Sequence, residues 1–341
     1  RITQNQTSRD YFIYSADDPV TQQMLDTMDS TLRARQLPFA INTAIASGDG
    51  DAVLEGQKFT ASVGSKSVTI GNLTDAYNKA AHGNGFSDEF VYSEVEKEYL
   101  EKYGDLTGDL HTDLHECLGH GSGQLLPGVD PDALKAHGST IEEARADLFG
   151  LYYLPDAKMR ELGLTPHDDA YKAEYYSFMM NGLMTQLVRI ELGNNVEEAH
   201  MRNRQLIAKW VFEKGAGDKV VELVKKEGKT FVKINDYDKL RDLFGQLLGE
   251  IQRIKSEGDY EAARQLVENY AVQVDPELHK EVLARYQKLN LAPYKGFVNP
   301  VYTAQKDAEG NIVDVTISYE EGYADQMLRY SRDYANLPYE N

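Results

Sequence analysis

Apolar residues recur at intervals of three and four along most of the chain, which is the spacing of amphipathic helices. The pattern predicts helices near residues 20–36, 86–103, 109–123, 140–154, 168–192, 196–214, 236–256, 258–273 and 275–289. Helix-breaking residues separate the later ones, at Gly193, Gly215, Gly258 and Pro276. The Tyr, Phe, Leu and Met stripes of these helices are predicted to form the core.

Alternation of apolar and polar residues, which indicates strands, occurs near both ends of the chain. Residues 58–70 alternate around Gly64-Ser65 and predict a hairpin. Residues 296–303 and 312–318 flank the turn-rich segment 307–311 and predict a second strand pair. We therefore expect a mainly α (α+β) fold in which a large helical lobe lies between pieces of a smaller β-containing lobe.

Three segments follow from this pattern. Residues 1–80 are assigned to the β-containing lobe and a connecting helix, and residues 81–293 to the helical lobe. Residues 294–341 are expected to return to the β-containing lobe and to end in a C-terminal helix.

Composition excludes several classes of protein. The 341 residues are 41% hydrophobic and 27% charged, which suffices for one large or two ordinary domains. The formal net charge of −19 argues against nucleic acid and anionic membrane surfaces as partners. No apolar run approaches the ~20 residues of a membrane span, and no signal peptide is visible. The single cysteine excludes an intrachain disulfide and fits a reducing compartment, so we expect a cytoplasmic protein.

The segment His115-Glu116-Cys117-Leu118-Gly119-His120 carries the groups that a zinc hydrolase needs. Zinc in catalytic sites takes nitrogen, sulfur and carboxylate ligands and keeps one position for water. Two histidines and one further acidic residue would leave that position open. Glu116, beside the first histidine, could then take a proton from the water.

The two histidines are five positions apart, whereas the usual His-Glu-x-x-His pattern has four. On a regular helix five positions rotate the second side chain about 140° from the first, against about 40° for four. We therefore predict a widened, π-type helix between Leu114 and His120, with Gly119 tolerating the unusual backbone. His111 and His115 are the better pair on spacing alone, so a third ligand must decide.

An acidic third ligand is expected on a nearby helix, and the residues from Ser139 onwards read Ser-Thr-Ile-Glu-Glu-Ala-Arg-Ala-Asp. Either Ser139 or Thr140, with the glutamate three positions later, would make a capping box that only satisfies backbone donors. If Ser139 is the N-cap, Glu142 closes the box and Glu143 is free to point elsewhere. Asp147, one turn further on the same face, is well placed to hydrogen-bond a ligating imidazole.

Together the two segments resemble the paired signature of the dipeptidyl peptidase III family of zinc exopeptidases. That signature is His-Glu-x-x-Gly-His followed by Glu-Glu-x-Arg-Ala-acidic, and the chain has it at residues 115–120 and 142–147. The glycine-rich continuation 119–123 is also similar to the family, as is Ala199-His200-Met201 with Arg204.

The resemblance implies a role for each matching residue at the metal. One zinc ion per chain would be held by His115, His120 and Glu143, with His111 outside the ligand set. Glu116 would be the general base. Glu142 and Asp147 would be partners of the ligating histidines.

The resemblance also implies how substrate is bound. His200 would help to stabilise the transition state, and Arg204 would meet the substrate. Asn42, in Phe39-Ala40-Ile41-Asn42, matches an asparagine that binds the free amino group of a peptide. Family members bind peptide in a cleft between two lobes, and they are longer than this chain. The chain is therefore expected to be the C-terminal, zinc-binding half of such a protein. Its expected partner is the missing N-terminal portion of the same protein.

The implied function is a zinc-dependent exopeptidase that releases dipeptides from the N-terminus of short oligopeptides. One alternative is another zinc aminopeptidase or an endopeptidase. A second is a non-catalytic zinc-stabilised fragment or binding module. The presence of Glu116 argues against a purely structural site, because a structural zinc has no need of a base and usually takes four protein ligands.

Overall fold

The structure is a computed structural model that describes residues 74, 77–79, 81–291, 301–318 and 320–333. The chain divides into two compact units. One is Thr74–Leu291, here called the helical unit, and the other contains the remaining residues. The helix predicted at 20–36, the hairpin at 58–70 and Asn42 lie outside the described residues.

Helices make up most of the helical unit, so the prediction of a mainly α fold is confirmed. The α-helices are α1 Phe86–Phe90, α2 Glu94–Leu114, α3 Gly138–Tyr153, α4 Ala157–Glu161, α5 Tyr171–Leu183, α6 Ala199–Lys214, α7 Tyr237–Glu257, α8 Tyr260–Tyr270 and α9 Pro276–Leu289. A π-helix, His115–Gly119, continues α2, and short 3-10 turns occur at Lys135–His137, Thr185–Arg189 and Ala216–Asp218.

Side-chain caps explain where the last three helices of this unit begin. The carboxylates of Asp236, Asp259 and Asp275 accept backbone N–H groups in the first turns of α7, α8 and α9. Pro276 occupies the first turn of α9, where no N–H is needed. Gly258 ends α7 with a positive φ of 68°. The helices predicted at 236–256, 258–273 and 275–289 are thus confirmed to within a few residues.

A strand pair inside the helical unit was not predicted. β1 Val221–Lys226 and β2 Lys229–Ile234 pair antiparallel, from Val221 opposite Ile234 to Lys226 opposite Lys229. The turn between them has positive φ at Glu227 (53°) and Gly228 (77°), the conformation of a two-residue hairpin turn. The expectation that strands lie only near the two ends of the chain is therefore wrong, because a glycine turn between two β-branched runs was overlooked.

The helix predicted at 86–103 is interrupted. α1 ends at Phe90, Val91 is extended, and α2 starts after Ser93. α2 then continues without a break to Leu114, so residues 104–108, which lie between the predicted helices 86–103 and 109–123, are helical.

Helix α3 lies at the centre of the helical unit. Ten of its 16 residues are buried, on all sides of the helix, as expected for a helix that is surrounded by others. It packs against α2, the π-helix, α6 and α7, while α5 packs against α2 and α6. The buried polar side chains of α3, among them Glu143, Arg145 and Asp147, therefore need partners on neighbouring helices.

The other unit contains a described hairpin and one helix. β3 Val301–Lys306 and β4 Ile312–Ser318 pair antiparallel, with an irregularity between Gln305 and Lys306. The Asp307 carboxylate accepts the backbone N–H groups of Glu309 and Asn311 and so closes the turn. The predicted strand pair is confirmed, with its first strand ending three residues later than expected. Helix α10, Tyr323–Asp333, follows. Within the described ranges no helix is long and apolar enough to cross a membrane.

Candidate metal centre

The π-helix brings His115 and His120 to the same side of the backbone. The N–H of His120 donates to the carbonyl of His115 at 2.9 Å, a bond spanning five residues. The Nε2 atoms of the two imidazoles are 3.1 Å apart. The predicted π-type widening of the helix between Leu114 and His120 is thus confirmed. The five-residue spacing therefore does not prevent the two imidazoles from binding one metal ion.

Gly119 is required because the π-helix lies directly against α3. A Cβ atom at this position would stand 2.6 Å from the Cα of Ala146 and 2.8 Å from its Cβ. Backbone atoms cannot yield as a flexible side chain can, so any larger residue would push the π-helix away from α3.

A carboxylate from α3 completes a cluster of three groups. Its Glu143 Oε2 lies 3.3 Å from His115 Nε2 and 3.7 Å from His120 Nε2. Ligands about 2.1 Å from a tetrahedral zinc ion are about 3.4 Å from one another. The separations between the three atoms therefore have the size that one tetrahedral ion requires, and the described residues contain no other such group of three or more.

The surroundings of Glu143 Oε2 also suit a cation. This atom is buried and makes no hydrogen bond, although imidazole nitrogens lie nearby. A buried acceptor without a partner is rare and costs free energy. Two imidazoles and one carboxylate are the donor set of catalytic zinc sites. The residues present therefore fit a zinc ion, with one ligand position left for water or substrate.

Each imidazole of the cluster faces a carboxylate of α3 with its Nδ1 atom. Asp147 Oδ1 lies 2.6 Å from His115 Nδ1, and Glu142 Oε1 lies 2.9 Å from His120 Nδ1. Because Nδ1 is the donor in each contact, Nε2 is left as the atom that can bind a metal.

Helix α3 begins without the predicted capping box. It starts at Gly138 directly after the 3-10 turn, so that Ser139 already lies within the helix, and no side chain caps it. Glu142 does not bond back to the helix start. It accepts hydrogen bonds from Arg145 and Lys255 as well as facing His120. The capping-box interpretation is wrong because the preceding 3-10 turn moves the helix start upstream.

Arg145 was missed as a site residue. It is fully buried, and its Nη2 donates to the carbonyl of Gly119 at 2.6 Å and to Glu142 Oε1 at 2.8 Å. Its Nη1 donates to the Ser122 hydroxyl at 3.2 Å. The guanidinium thus ties the C-terminal end of the π-helix to α3. The available signal was its place in the motif Glu-Glu-x-Arg-Ala-acidic at residues 142–147.

The charges of the cluster stabilise one another. Burial by itself would raise the pKa of Glu143, but the imidazoles of His115 and His120 outweigh it and lower the pKa to about 2. Burial would lower the pKa of His115 and of His120, but the facing carboxylates raise them to about 10 and about 9. Burial and the basic partners compete in the same way at Glu142 and Asp147, whose pKa values are lowered. A metal ion at this site would replace protons on the histidines.

The remaining predicted residues lie at different distances from the cluster. Glu116 follows His115 in the π-helix and is 4% exposed. His200, at the start of α6, has its Nδ1 3.3 Å from Glu143 Oε2, and its side chain is 37% exposed. Arg204, one turn further along α6, is close enough for its charge to contribute to the lowered pKa of Asp147.

His111 lies outside the cluster of three. Its Nδ1 is 2.7 Å from Glu174 Oε1, and its Nε2 is 3.2 Å from the backbone carbonyl of Asp147. With both ring nitrogens engaged in this way, the better helical pair on spacing, His111 with His115, does not form a metal site.

Comparison with known proteins agrees with this geometry. The sequence pattern of peptidase family M49 matches residues 56–137 and 131–321, which is most of the chain. The chain belongs to peptidase family M49. The resemblance to dipeptidyl peptidase III that the two motifs indicated is thereby confirmed.

Two solved structures are similar to the chain. One is described as the structure of DPP III from Caldithrix abyssi, with 26% sequence identity and a TM-score of 0.50 over 65% of this chain and 39% of that one. The other is dipeptidyl-peptidase III from Corallococcus sp. strain EGB, with 19% identity and a TM-score of 0.49 over 65% of this chain and 37% of that one. The chain thus spans well under two thirds of the length of either protein.

Proposed function

We propose that the chain is the zinc-binding part of an exopeptidase that releases dipeptides from the N-terminus of oligopeptides. The observation that carries the proposal is the convergence of two imidazoles and one carboxylate oxygen without a hydrogen bond, with Glu116 following His115 in the π-helix. The names of the M49 structures support the reaction class. One zinc ion per chain, held by His115, His120 and Glu143, is part of this proposal.

The chain's own residues would share the work of peptide hydrolysis. When bound, zinc supplies Lewis-acid chemistry, since it polarises a carbonyl group and lowers the pKa of a water molecule. Glu116 takes the proton of the attacking water and passes it to the leaving amine. His200, open to solvent and beside Glu143, donates to the oxygen on which negative charge develops.

Dipeptide release requires an anchor for the free amino group of the peptide. Arg204 and Asn42 are the residues of this chain that we propose to contact substrate, and a further portion of the same protein would supply the rest of the cleft.

The net charge of −19 favours neutral or basic peptides over acidic ones. We also propose action in the cytoplasm, in agreement with the single cysteine. Neither nucleic acid nor a membrane is needed as a partner.

The variant Glu116→Ala separates catalysis from metal binding. We expect the zinc content to stay near one per chain, while hydrolysis of dipeptidyl arylamides by the full-length protein is lost. Glu101→Ala is the matched control, because Glu101 lies exposed on α2, and both quantities should stay unchanged. Persistent hydrolysis in Glu116→Ala would show that the assigned base is wrong.

Acetylation of the peptide's amino group distinguishes the proposed dipeptide release from the alternative activities. A tetrapeptide with a free amino group should lose its first two residues, and its N-acetylated form should be resistant. Cleavage of both forms would indicate an endopeptidase, and release of single residues would indicate an aminopeptidase. Full zinc occupancy without cleavage of either form would indicate a binding module.

A further inference from the structure

His111 is a buried histidine that the proposed function does not use. It lies on α2 one helical turn before His115 and is 7% exposed. Glu174 of α5 faces its Nδ1 at 2.7 Å, and Asp147 of α3 faces its Nε2, with the carbonyl at 3.2 Å and Oδ1 at 3.6 Å. Both ring nitrogens thus face oxygen acceptors, which only a doubly protonated imidazole can serve at once.

Asp147 connects this histidine to the metal centre. Its Oδ1 lies between two imidazoles, 2.6 Å from His115 Nδ1 and 3.6 Å from His111 Nε2. Its other oxygen, Oδ2, is buried and makes no hydrogen bond. The orientation of the carboxylate therefore depends on the two imidazoles that flank Oδ1.

The imidazole ring of His111 is tightly packed between α3 and α5. At Gly150, in the middle of α3, a Cβ atom would stand 2.2 Å from Cδ2 of His111. Glycine inside a helix is less stable than alanine, and here its missing side chain lets the imidazole approach the backbone of α3. Phe178 of α5 packs on the ring, with the centroids 5.7 Å apart.

We infer that His111 and Glu174 position the zinc ligand His115 by holding Asp147 in place. The order of contacts is Glu174, His111, Asp147, His115, and each member comes from a different helix or turn of helix. His111 is thus a positioning residue that never touches the metal. The inference rests on the proposed zinc centre, but it concerns metal affinity and requires no peptide.

The test is the zinc dissociation constant of the full 341-residue chain, measured by competition with a chelator. Loss of an outer partner of a ligating histidine typically weakens metal binding 10–100-fold. For His111→Phe, which keeps a flat ring but removes both hydrogen bonds, we expect a loss of about 10-fold. Glu174→Ala removes the partner of His111 Nδ1 without adding volume, and it should also weaken zinc binding. It replaces the first variant if His111→Phe does not fold.

A second buried histidine provides the matched control. His279 of α9 is 1% exposed, and its Nε2 lies 3.0 Å from the carbonyls of Leu187 and Ile190, which belong to no metal cluster. His279→Phe should lower the thermal stability as His111→Phe does and leave the zinc dissociation constant unchanged. If His111→Phe also leaves it unchanged, His111 is a structural residue only and the inference fails.

The background of Asp147→Asn shows whether His111 acts through Asp147. In that background the added effect of His111→Phe should fall from about 10-fold to near 1, because the positioned carboxylate is already lost. An undiminished effect would contradict the proposed order of contacts while leaving the zinc centre intact. Absence of zinc binding by the unaltered chain would instead overturn the metal centre and this inference together.

Discussion

Two regions of the helical unit bury a comparable set of charges, and they differ in whether those charges are satisfied. In the first, here called the Arg285 cluster, the guanidinium of Arg285 donates to Glu89 Oε1 at 2.8 Å, to Glu281 Oε1 at 3.0 Å and to the carbonyl of Thr230 at 2.6 Å. In the second, the metal centre, Glu143 Oε2 is buried without a hydrogen bond. Buried charge alone therefore does not mark a functional site, and the two regions differ in that the second holds a buried carboxylate oxygen without a hydrogen bond.

The Arg285 cluster has a structural explanation. Its arginine on α9 joins α1 through Glu89 and the hairpin β1–β2 through Thr230, and it stacks between the rings of Phe90 and Phe231. Each group is already paired within the fold. The metal centre joins the π-helix, α3 and α6 in a similar way, but its central oxygen, Glu143 Oε2, makes no hydrogen bond within the fold, and we propose that a cation binds there.

Removal of Glu143 should have the largest effect on metal binding. Glu143→Ala deletes a direct ligand, so we expect the zinc dissociation constant to rise by well over the about 100-fold that bounds the loss of an outer partner. Chelator competition measures it. Glu281→Ala, which removes a carboxylate of the Arg285 cluster, should retain the affinity of the unaltered chain, and loss of zinc in both variants would erase the distinction between the two regions.

Removal of Arg285 should have the largest effect on stability. Arg285→Ala leaves Glu89 and Glu281 without their buried partner, so the free energy of unfolding should fall by about 3 kcal/mol, with zinc affinity retained. Urea denaturation measures this change. Arg253 is the control because it too pairs with carboxylates, but its side chain is 37% exposed, and Arg253→Ala should cost no more than about 1 kcal/mol. Equal losses would mean that the burial of Arg285 is unimportant.

Gly119→Ala tests how closely the π-helix must approach α3. The added methyl group meets the backbone of Ala146, so we expect a loss of about 1–3 kcal/mol in stability together with weaker zinc binding. Denaturation and chelator competition on the same sample measure both quantities. Gly104→Ala, also on a helix but with open space around it, should lose neither. Normal zinc affinity in Gly119→Ala would show that the helix spacing does not set the ligand geometry.

The smallest expected effect is the pH dependence of the Arg285 cluster. Burial would raise the pKa of Glu89, but Lys229 and Arg285 outweigh it and hold it below its ordinary value of 4.5. A carboxyl group whose pKa is lower in the folded state stabilises the protein above pH 4.5, and the contribution is lost as the pH falls through the folded pKa. Glu89→Gln should therefore flatten the decline of unfolding free energy with acidification below pH 4.5. An unchanged slope would contradict the pairing.

Local patterns were sufficient for the parts of the fold that depend on neighbouring residues. The helix-separating residues Gly258 and Pro276 and the five-residue histidine spacing are short-range features, and the structure agrees with both. The start of α3 was wrongly assigned, since a capping box fits the sequence of residues 139–143 as well as a 3-10 turn upstream does.

The contacts around the metal centre depend on residues far apart in the chain. Lys255 reaches Glu142 across 113 positions, and Glu174 reaches His111 across 63. No periodicity in the sequence encodes such pairs, because they arise from the way α3 packs against α7 and α5 against α2. His111 was therefore visible as a histidine near the motif, but its role could not be derived from spacing.

The most direct measurement of the central claim is a crystal structure of the zinc-loaded chain with anomalous scattering recorded at the zinc edge. We predict one ion per chain, bound by Nε2 of His115, Nε2 of His120 and Oε2 of Glu143 at about 2.0–2.2 Å. An ion bound by His111, an ion at another place, or no ion at saturating zinc would contradict the account.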